Sequence, residues 1–209
     1  MHWTKEDIRN SNKVERINII NGVTGIKPAN LIGTVSNDGH ENLAIFSSVV
    51  HLGSDPALFG FILRPAGDVP RDTYENILET GVYTINHVHE SIVKNAHYTS
   101  AKFESEISEF DKCGLLSVYR EGFQAPFVES AFVQLGMRFV KEIPIPMNDT
   151  ILIIGEIEHI FLPDKCLETE GNINLEKSGS VGISGLNSYY SLEKIAQFPY
   201  VRLTELPEF

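Results

Sequence analysis

The stretch NLIGTVSNDGHENLAIFSSVV, residues 30–50, decides the predicted fold. It contains two apolar runs of strand length, Asn30–Ser36 and Asn42–Val50, both rich in aliphatic and β-branched residues. Between them stands Asp38-Gly39, and an Asp-Gly pair supplies the positive φ that a tight hairpin turn requires. We therefore expect two antiparallel strands that pair directly.

Further runs of similar composition lie on both sides of this hairpin. Ile17–Val23, Ala57–Leu63 and Val82–Val88 are of strand length and are separated by Gly, Pro, Asn and Asp. Ser130–Lys141 and Thr150–Leu162 alternate apolar and polar side chains, which is typical of a hairpin with one buried face. The pattern predicts a mainly β protein, an antiparallel meander with peripheral helices.

Helix signals are few and short. Thr4 with Asp7 three residues later resembles a capping box, so a short helix is expected near the N-terminus. Arg71–Leu78 carries apolar residues at helical spacing and predicts a helix of about two turns. After Pro163 the sequence is polar and contains several glycines. We predict a single domain over residues 1–209, with a short N-terminal helix and a C-terminal tail packed on the barrel.

Charge and cysteine content narrow the class of protein. The chain has 17 basic and 28 acidic residues, a formal charge of −11, which repels nucleic acid and anionic lipid. No apolar run approaches the roughly 20 residues that a membrane span needs, and the N-terminus does not resemble a secretory signal. Cys113 and Cys166 lie far apart in the sequence, so no disulfide framework is indicated. We expect a cytoplasmic protein with neither a nucleic-acid partner nor a membrane.

The start of the helix predicted at Arg71 suits a phosphate group. A helix N-terminus offers unpaired N–H groups and the positive end of its dipole, and Arg71, Asp72 and Thr73 stand there. Arg64, which follows the strand Ala57–Leu63, could bring a second guanidinium to the same anion. The alternative is that both arginines are solvated and that Asp72 or Thr73 only caps the helix.

The run Asn42–Ser48 is a second candidate site. A strand this apolar ends in small polar residues, which leave its backbone open to a flat ligand. The alternative interpretation is a strand with one solvated face.

Other kinds of site have weaker support. His87 and His89 would share a strand face and His97 follows, but no carboxylate completes a metal-binding set, so we predict no metal. The glycines of Gly179–Gly185 lack the dinucleotide-loop spacing G-x-G-x-x-G. The chain contains neither a P-loop sequence nor the G-x-S-x-G motif of serine hydrolases.

Several segments match one family in order along the chain. They are Gly33–Ser36 with Asp38–Gly39, Asn42–Ser48, Ser54–Phe61, Arg71–Thr73 with Asn76–Ile77, Thr80–Gly81, Thr84–Asn86, Gly155–Ile160 and Gly185–Tyr190. In these segments the chain resembles the flavin reductase-like, FMN-binding split-barrel family, which includes flavoredoxin-type proteins and the reductase components of two-component monooxygenases. The resemblance extends from about Pro28 to Pro199.

The resemblance implies an antiparallel Greek-key split β-barrel with non-covalently bound FMN. It also implies a homodimer with the flavin at or near the subunit interface, and a redox partner protein as one candidate electron acceptor. The residues that it assigns to the isoalloxazine ring and the ribityl chain are Asn42, Ala44, Ser47 and Ser48. Those that it assigns to the phosphate are Arg71, Asp72 and Thr73, with Arg64 as a helper. Ser36 and Tyr189 complete the predicted cofactor-binding set.

One departure from the family pattern keeps the function open. Many family reductases have Gly-Asp-His between the last two barrel strands, where this chain has Asn148-Asp149-Thr150. His159 is a candidate replacement near the nicotinamide, by position alone. The interpretation as an NAD(P)H-dependent flavin reductase therefore stands beside two alternatives, an FMN-bound electron carrier without a nicotinamide site and a non-redox split-barrel binding module.

Overall fold

The computed structural model describes residues 1–65 and 71–207 of the chain. The helices are α1 (Lys5–Asn10), α2 (Lys13–Gly22), α3 (Asp72–Thr80), α4 (Val93–Tyr98), α5 (Glu109–Lys112) and α6 (Leu175–Ser178). The strands are β1 (Lys27–Pro28), β2 (Asn30–Val35), β3 (Glu41–Phe46), β4 (Val50–Ser54), β5 (Ala57–Leu63), β6 (Val82–His87), β7 (Ser117–Val118), β8 (Phe127–Val128), β9 (Gln134–Ile145), β10 (Thr150–Phe161), β11 (Val181–Ser184) and β12 (Ser188–Ser191). Within the described ranges, no helix combines the length and apolar character that crossing a bilayer requires.

Seven of these strands form one antiparallel sheet in the order β3-β2-β6-β9-β10-β5-β4. The predicted first hairpin is confirmed, with Asn30 opposite Phe46 and Gly39 at a φ of 86° in the turn. The predicted second hairpin is confirmed as β9 and β10. The sheet thus has the antiparallel, mainly β character expected from the sequence.

The order of the strands shows that the sheet is curled. β3 and β4 lie at opposite edges of the sheet, yet only Ser47–Val49 separate them in the chain. A flat sheet of seven strands would be about 29 Å wide at roughly 4.8 Å per strand, whereas so short a connection spans at most about 14 Å. The two edges must therefore approach each other, as in a barrel with an open seam.

Ser48 joins the two edges of this seam. Its hydroxyl donates to the carbonyl of Ile62 in β5 at 3.2 Å and accepts the N–H of Ile62 at 3.0 Å. The prediction of one continuous strand over Asn42–Val50 was wrong, because the chain leaves β3 here to cross the seam and begin β4.

The prediction of a strand over Ile17–Val23 was also wrong. The Asn12 side chain accepts the N–H of Glu15 at 2.9 Å and caps α2, which contains most of this run. Val14, Ile17 and Ile20 are spaced three residues apart and lie exposed on this helix. The local cap outweighs the strand propensity of the β-branched residues. The predicted capping box of α1, by contrast, is confirmed.

Two apolar cores lie on opposite faces of the sheet. The barrel interior contains Ile32, Phe61, Leu63, Ile77, Tyr83, Ile85, Leu135, Met137 and Ile153. The second core, outside the barrel, contains Ala29, Leu31, Leu43, Val88, Ile92, Ala96, Phe110, Leu115, Val128, Ala131, Val181 and Ile183. The barrel thus has one outer face covered by α4, α5 and β11, and this covering positions the edge strand β3.

The C-terminal residues differ in how they pack. Tyr189 of β12 packs against the outer core. Farther along, Ile195, Phe198 and Tyr200 are 97%, 81% and 88% exposed in the single chain. Tyr189 thus contacts the outer core, whereas the side chains of Ile195, Phe198 and Tyr200 lie in solvent in the single chain.

Candidate functional site

β3 is an edge strand, and its free edge offers main-chain groups that no strand of the described residues occupies. The N–H of Leu43 donates to the Glu109 carboxylate at 2.9 Å rather than to a strand. In an antiparallel pair every second residue directs its N–H and C=O away from the partner, so those of Ile45 also point away from β2. The edge from Ile45 to Ser48 is therefore available to a flat ligand with polar edges.

A buried hydrogen-bond network lies at the other end of β3, around Asn42. The Asn42 amide donates to the hydroxyls of Thr73 at 2.9 Å and Thr34 at 3.2 Å, and the Asn76 amide donates to Thr34 at 3.1 Å. All four side chains are buried. The network fixes the first turn of α3 against β3, so the structure brings together two predicted site residues, Asn42 and Thr73. Sequence reasoning missed Thr34 as a member of the network.

The N-terminus of α3 has the donors that a phosphate requires. Arg71 occupies the N-cap position, and no side chain of the described residues caps the helix. The Arg71 guanidinium is exposed and makes one long hydrogen bond, 3.3 Å, to the Pro65 carbonyl. Since the Thr73 oxygen accepts from Asn42, its own hydroxyl hydrogen is available to an anion. The Asp72 carboxylate accepts from Ser105 at 2.9 Å, so Asp72 could serve a phosphate only through its N–H. These residues fit a phosphate group.

Arg64 lies two residues beyond Ile62, whose main chain is bonded to Ser48, and directly before Pro65, whose carbonyl accepts from Arg71. It follows β5 directly, is exposed, and is close enough to Lys27 for the two charges to interact. Burial and then the Arg64 charge lower the pKa of Lys27, whose ammonium donates to the carbonyls of Asn21 at 3.0 Å and Gly185 at 3.1 Å. The sequence did not indicate a role for Lys27, because only the fold brings Lys27 close to Arg64.

The remaining predicted cofactor residues lie in different places. The Ser36 hydroxyl accepts the His40 N–H at 3.1 Å inside the first turn. Ala44 lies within β3, and Ser47 lies in the connection to β4; both are half-buried. The Tyr189 hydroxyl contacts Nδ1 of His97 at 3.0 Å.

Glu109 is a buried carboxyl that sequence reasoning did not single out. Burial raises its pKa, its hydrogen bond from Leu43 opposes that rise, and the nearby Asp72 carboxylate raises it further. Glu109 belongs to α5, which lies in a stretch of mixed sequence that gave few signals. Its carboxylate accepts the Leu43 N–H on the free edge of β3, near Asp72 at the N-terminus of α3.

We expect Glu109→Gln and Glu109→Ala to affect stability differently. Glutamine keeps an acceptor for the Leu43 N–H and removes a buried charge, so it should match or exceed the wild type at neutral pH. Alanine leaves a buried N–H unpaired and should cost about 1–3 kcal/mol. Because the folded pKa of Glu109 is raised, the wild type gains stability as the pH falls through that pKa, and the glutamine variant should lack this gain. Urea denaturation between pH 4.5 and 7.5 measures both effects; equal stability of the two variants would contradict the role of the acceptor.

The histidines have separate partners. His87 contacts Ser180 at 3.1 Å, and burial lowers its pKa to about 4, while His89 contacts Ser91 at 2.7 Å. Over residues 1–65 and 71–207 no three metal-ligating side chains cluster.

His159, the candidate for the nicotinamide, lies between aromatic rings. Its ring stacks on Phe161 at 5.8 Å between centroids and meets Phe123 edge-on at 5.5 Å. The structure places it on β10 opposite Gly136, and these ring contacts do not involve the free edge of β3.

Two cavities lie outside the candidate site. One of about 580 Å³ is lined by Glu170, Asn172, Gln197, Phe198, Pro199 and Tyr200. The other, of about 540 Å³, is lined mainly by the segments Glu129–Gln134 and Ile160–Leu167. Neither is lined by a predicted cofactor-binding residue.

Comparison with known proteins agrees with this architecture. A family model described as a flavin reductase like domain matches residues 26–177. The chain belongs to the flavin reductase-like family. It is 43% identical to a split-barrel protein from Shewanella frigidimarina NCIMB 400 that carries a provisional assignment as a flavin reductase, over 96% of this chain and 100% of that one, with a TM-score of 0.92.

More distant family structures share the fold. Nitrilotriacetate monooxygenase component B from Bacillus cereus is 18% identical over 95% of this chain and 98% of its own, with a TM-score of 0.83. Flavoredoxin of Desulfovibrio vulgaris (Miyazaki F) is 23% identical over 84% of this chain and 92% of its own, with a TM-score of 0.73. The expected split-barrel fold is thereby confirmed.

Proposed function

We propose that this flavin reductase-like protein binds FMN non-covalently along the free edge of β3 and passes electrons from NAD(P)H through it to an acceptor. The observation that carries the proposal is the N-terminus of α3, which no side chain within residues 1–65 and 71–207 caps, with Arg71 at its N-cap position and with Thr73 and Asn42 fixing it to one end of that edge. A phosphate donor set and an open strand edge thus lie next to each other, as a phosphorylated flat cofactor requires.

Different residues of the chain bind different parts of FMN. Arg71 and the first-turn N–H groups of α3 hold the phosphate, and the Thr73 hydroxyl adds one more donor. The main-chain groups of Ile45 and the connection at Ser47 orient the polar edge of the ring. Arg64, next to the Pro65 carbonyl that accepts from Arg71, adds a second positive charge beside the phosphate.

The redox chemistry requires little of the protein. When bound, a flavin supplies the two-electron chemistry by which a dihydronicotinamide is oxidised. The chain binds and orients the ring and shields one of its faces from water with the wall of the barrel.

An electron carrier is the second candidate function. Asn148, Asp149 and Thr150 form a turn in which the Asn148 side chain accepts from the N–H and hydroxyl of Thr150 at 3.3 and 2.8 Å. No histidine stands in this turn, and His159 packs between rings. A protein that retains FMN without a nicotinamide site would fit these two observations, and the flavoredoxin likeness is consistent with it.

The visible spectrum under anaerobic conditions distinguishes these functions. We expect FMN-loaded protein to lose its oxidised-flavin bands on addition of NADH or NADPH, faster than free FMN at the same concentration. Bleaching by dithionite alone would reject the reductase and select the carrier. A folded protein that takes up no FMN would favour the non-redox binding module and reject both.

A further inference from the structure

A cavity of about 540 Å³ lies on the outside of the barrel, at the start of β9 and the end of β10. Leu135 and Met137 of β9 point into the barrel core, so Gln134 faces outward, beside its partner Phe161 on β10. Gln134 is buried, and its amide donates to the Val128 carbonyl at 2.6 Å, which fixes this wall of the cavity. In the sheet, β6 and β2 separate β9 from the free edge of β3. The cavity thus has the size of a small-molecule site and lies apart from that edge.

One wall of this cavity carries the guanidinium of Arg120. Its Nε atom is buried and has no hydrogen-bond partner within residues 1–65 and 71–207. Among the same residues no carboxylate lies within ion-pair distance of it, although the chain carries 28 acidic residues. A buried donor that lacks an acceptor is destabilising, so an acceptor supplied by a ligand would be favourable here. The planar guanidinium fits a carboxylate, which can accept two of its N–H groups at once.

A tight turn holds the Arg120 backbone in place. The N–H of Phe123 donates to the Arg120 carbonyl at 2.8 Å, and Glu121 and Gly122 between them have φ values of 49° and 72°. Phe123 is buried, and Phe161 packs against the same small core. The guanidinium carbon of Arg120 lies 5.7 Å from the centroid of the Phe161 ring, within the range of a cation–π contact. The cation is therefore already positioned in the cavity wall.

The rest of the cavity is largely apolar. Phe132, Ile160 and Leu167 line it and are 36%, 51% and 55% exposed in the single chain. The Lys165 ammonium lies 5.0 Å from the centroid of the Phe132 ring, so a second cation stands beside this aromatic wall. A ligand with a flat apolar body would cover these side chains and remove their surface from water.

Two carboxylates at the cavity limit the charge of the ligand. Glu129 and Asp164 line the cavity, are exposed, and form no ion pair within the described ranges. They would repel a ligand with several negative charges, such as a nucleotide, because Arg120 and Lys165 together only balance them. The set of charges therefore favours a ligand that carries a single carboxylate.

We propose that this cavity binds a small monocarboxylate with an aromatic or other flat apolar body. The carboxylate pairs with Arg120, and the apolar body lies against Phe132, Ile160 and Phe161. The proposal stands on the cavity and its charges, and it does not depend on whether the protein binds FMN.

A pair of matched probes tests the site in the wild-type protein. Hydrocinnamate carries the proposed carboxylate, and hydrocinnamyl alcohol has a neutral hydroxyl on the same apolar body. We expect hydrocinnamate to bind with a Kd of about 1 mM or tighter, and about tenfold or more tightly than the alcohol. Two-dimensional NMR titration of isotope-labelled protein measures both affinities. The shifts that hydrocinnamate causes should map to the segments Glu129–Gln134 and Ile160–Leu167.

Three substitutions separate the role of the charge from that of the apolar wall. Arg120→Gln should weaken hydrocinnamate binding about tenfold or more and leave alcohol binding unchanged, because only the carboxylate loses a partner. Arg138→Gln changes an exposed arginine of β9 that pairs with Glu158, and it should bind both probes like the wild type. Phe132→Ala should weaken the binding of both probes alike, since it removes apolar wall. Far-UV circular dichroism checks that the variants fold.

Four results would overturn the proposal. The first is a wild-type protein that binds neither probe, and the second is one that binds the alcohol as tightly as the carboxylate. The third is a folded Arg120→Gln variant with wild-type affinity for hydrocinnamate. The fourth is loss of hydrocinnamate binding in Arg71→Ala, which would place the probe at the candidate phosphate site. None of these results would reject the proposed function.

Discussion

Replacing Arg71 with alanine should weaken FMN binding by about 10- to 150-fold, because one charge-assisted phosphate contact is worth roughly 1.5–3 kcal/mol. The fold should not change, since the Arg71 side chain is exposed and its hydrogen bond within the described chain, to the Pro65 carbonyl, is long. Titration of the apo-protein, followed by quenching of flavin fluorescence, measures the two affinities.

Riboflavin and a second arginine control this experiment. Riboflavin lacks the phosphate, so the loss on Arg71→Ala should disappear with it. Arg138→Ala removes an arginine of β9 whose side chain is 60% exposed and pairs with Glu158 of β10, and this variant should bind FMN like the wild type. An equal loss for FMN and riboflavin would show that Arg71 supports the ring or the fold, and the phosphate site would have to lie elsewhere.

Thr73 is a poor partner for a double substitution with Arg71. Its hydroxyl is buried and accepts from Asn42, so Thr73→Ala would remove a hydrogen bond within the fold as well as a donor to the ligand. The network around Asn42 shows why the single arginine substitution is the cleaner test.

Gly33→Ala should destabilise the protein by about 3 kcal/mol, near the upper end of the range for overpacking. A Cβ on Gly33 would meet the Pro126 carbonyl oxygen and would lie 2.7 Å from the Thr84 hydroxyl oxygen. Thr84 is fully buried and donates to that same carbonyl at 2.6 Å, so neither neighbour can move away easily. The midpoint of thermal unfolding should fall by about 6–12 °C for a chain of this size.

Gly22→Ala is the matched control for Gly33→Ala. Gly22 is the last residue of α2, and a Cβ there would meet nothing within 4 Å. Alanine favours the helix by up to about 1 kcal/mol over glycine, so this variant should be as stable as the wild type or slightly more stable. A Gly33→Ala variant that melts with the wild type would contradict the close approach of β2 to the Pro126 segment.

The hairpins of the barrel could be predicted because their signals are local. The Asp38-Gly39 turn lies between two apolar runs, and the alternation of β9 and β10 follows from one buried face. The break between β3 and β4 within Asn42–Val50 could not be predicted. It depends on the contact of Ser48 with Ile62, which belongs to a strand that comes later in the sequence. The residue pattern of a short segment does not show where the two edges of a curled sheet approach each other.

The residues of the candidate site likewise include some with a local sequence signal and some without one. Arg71 and Thr73 were predicted from a local pattern, the start of a helix, and the structure places them at the start of α3. Glu109 and Lys27 were missed because each acts on a main-chain group far away in sequence, Leu43 for the first and Gly185 for the second. The strand predicted at Ile17–Val23 failed for a different reason, since residue propensity was weighed without the helix cap that precedes it.

Calorimetric titration of the apo-protein with FMN tests most directly whether the N-terminus of α3 and the free edge of β3 form a flavin site. We predict uptake of one FMN per chain, with a higher affinity for FMN than for riboflavin. Well-folded protein that binds neither flavin would contradict the account.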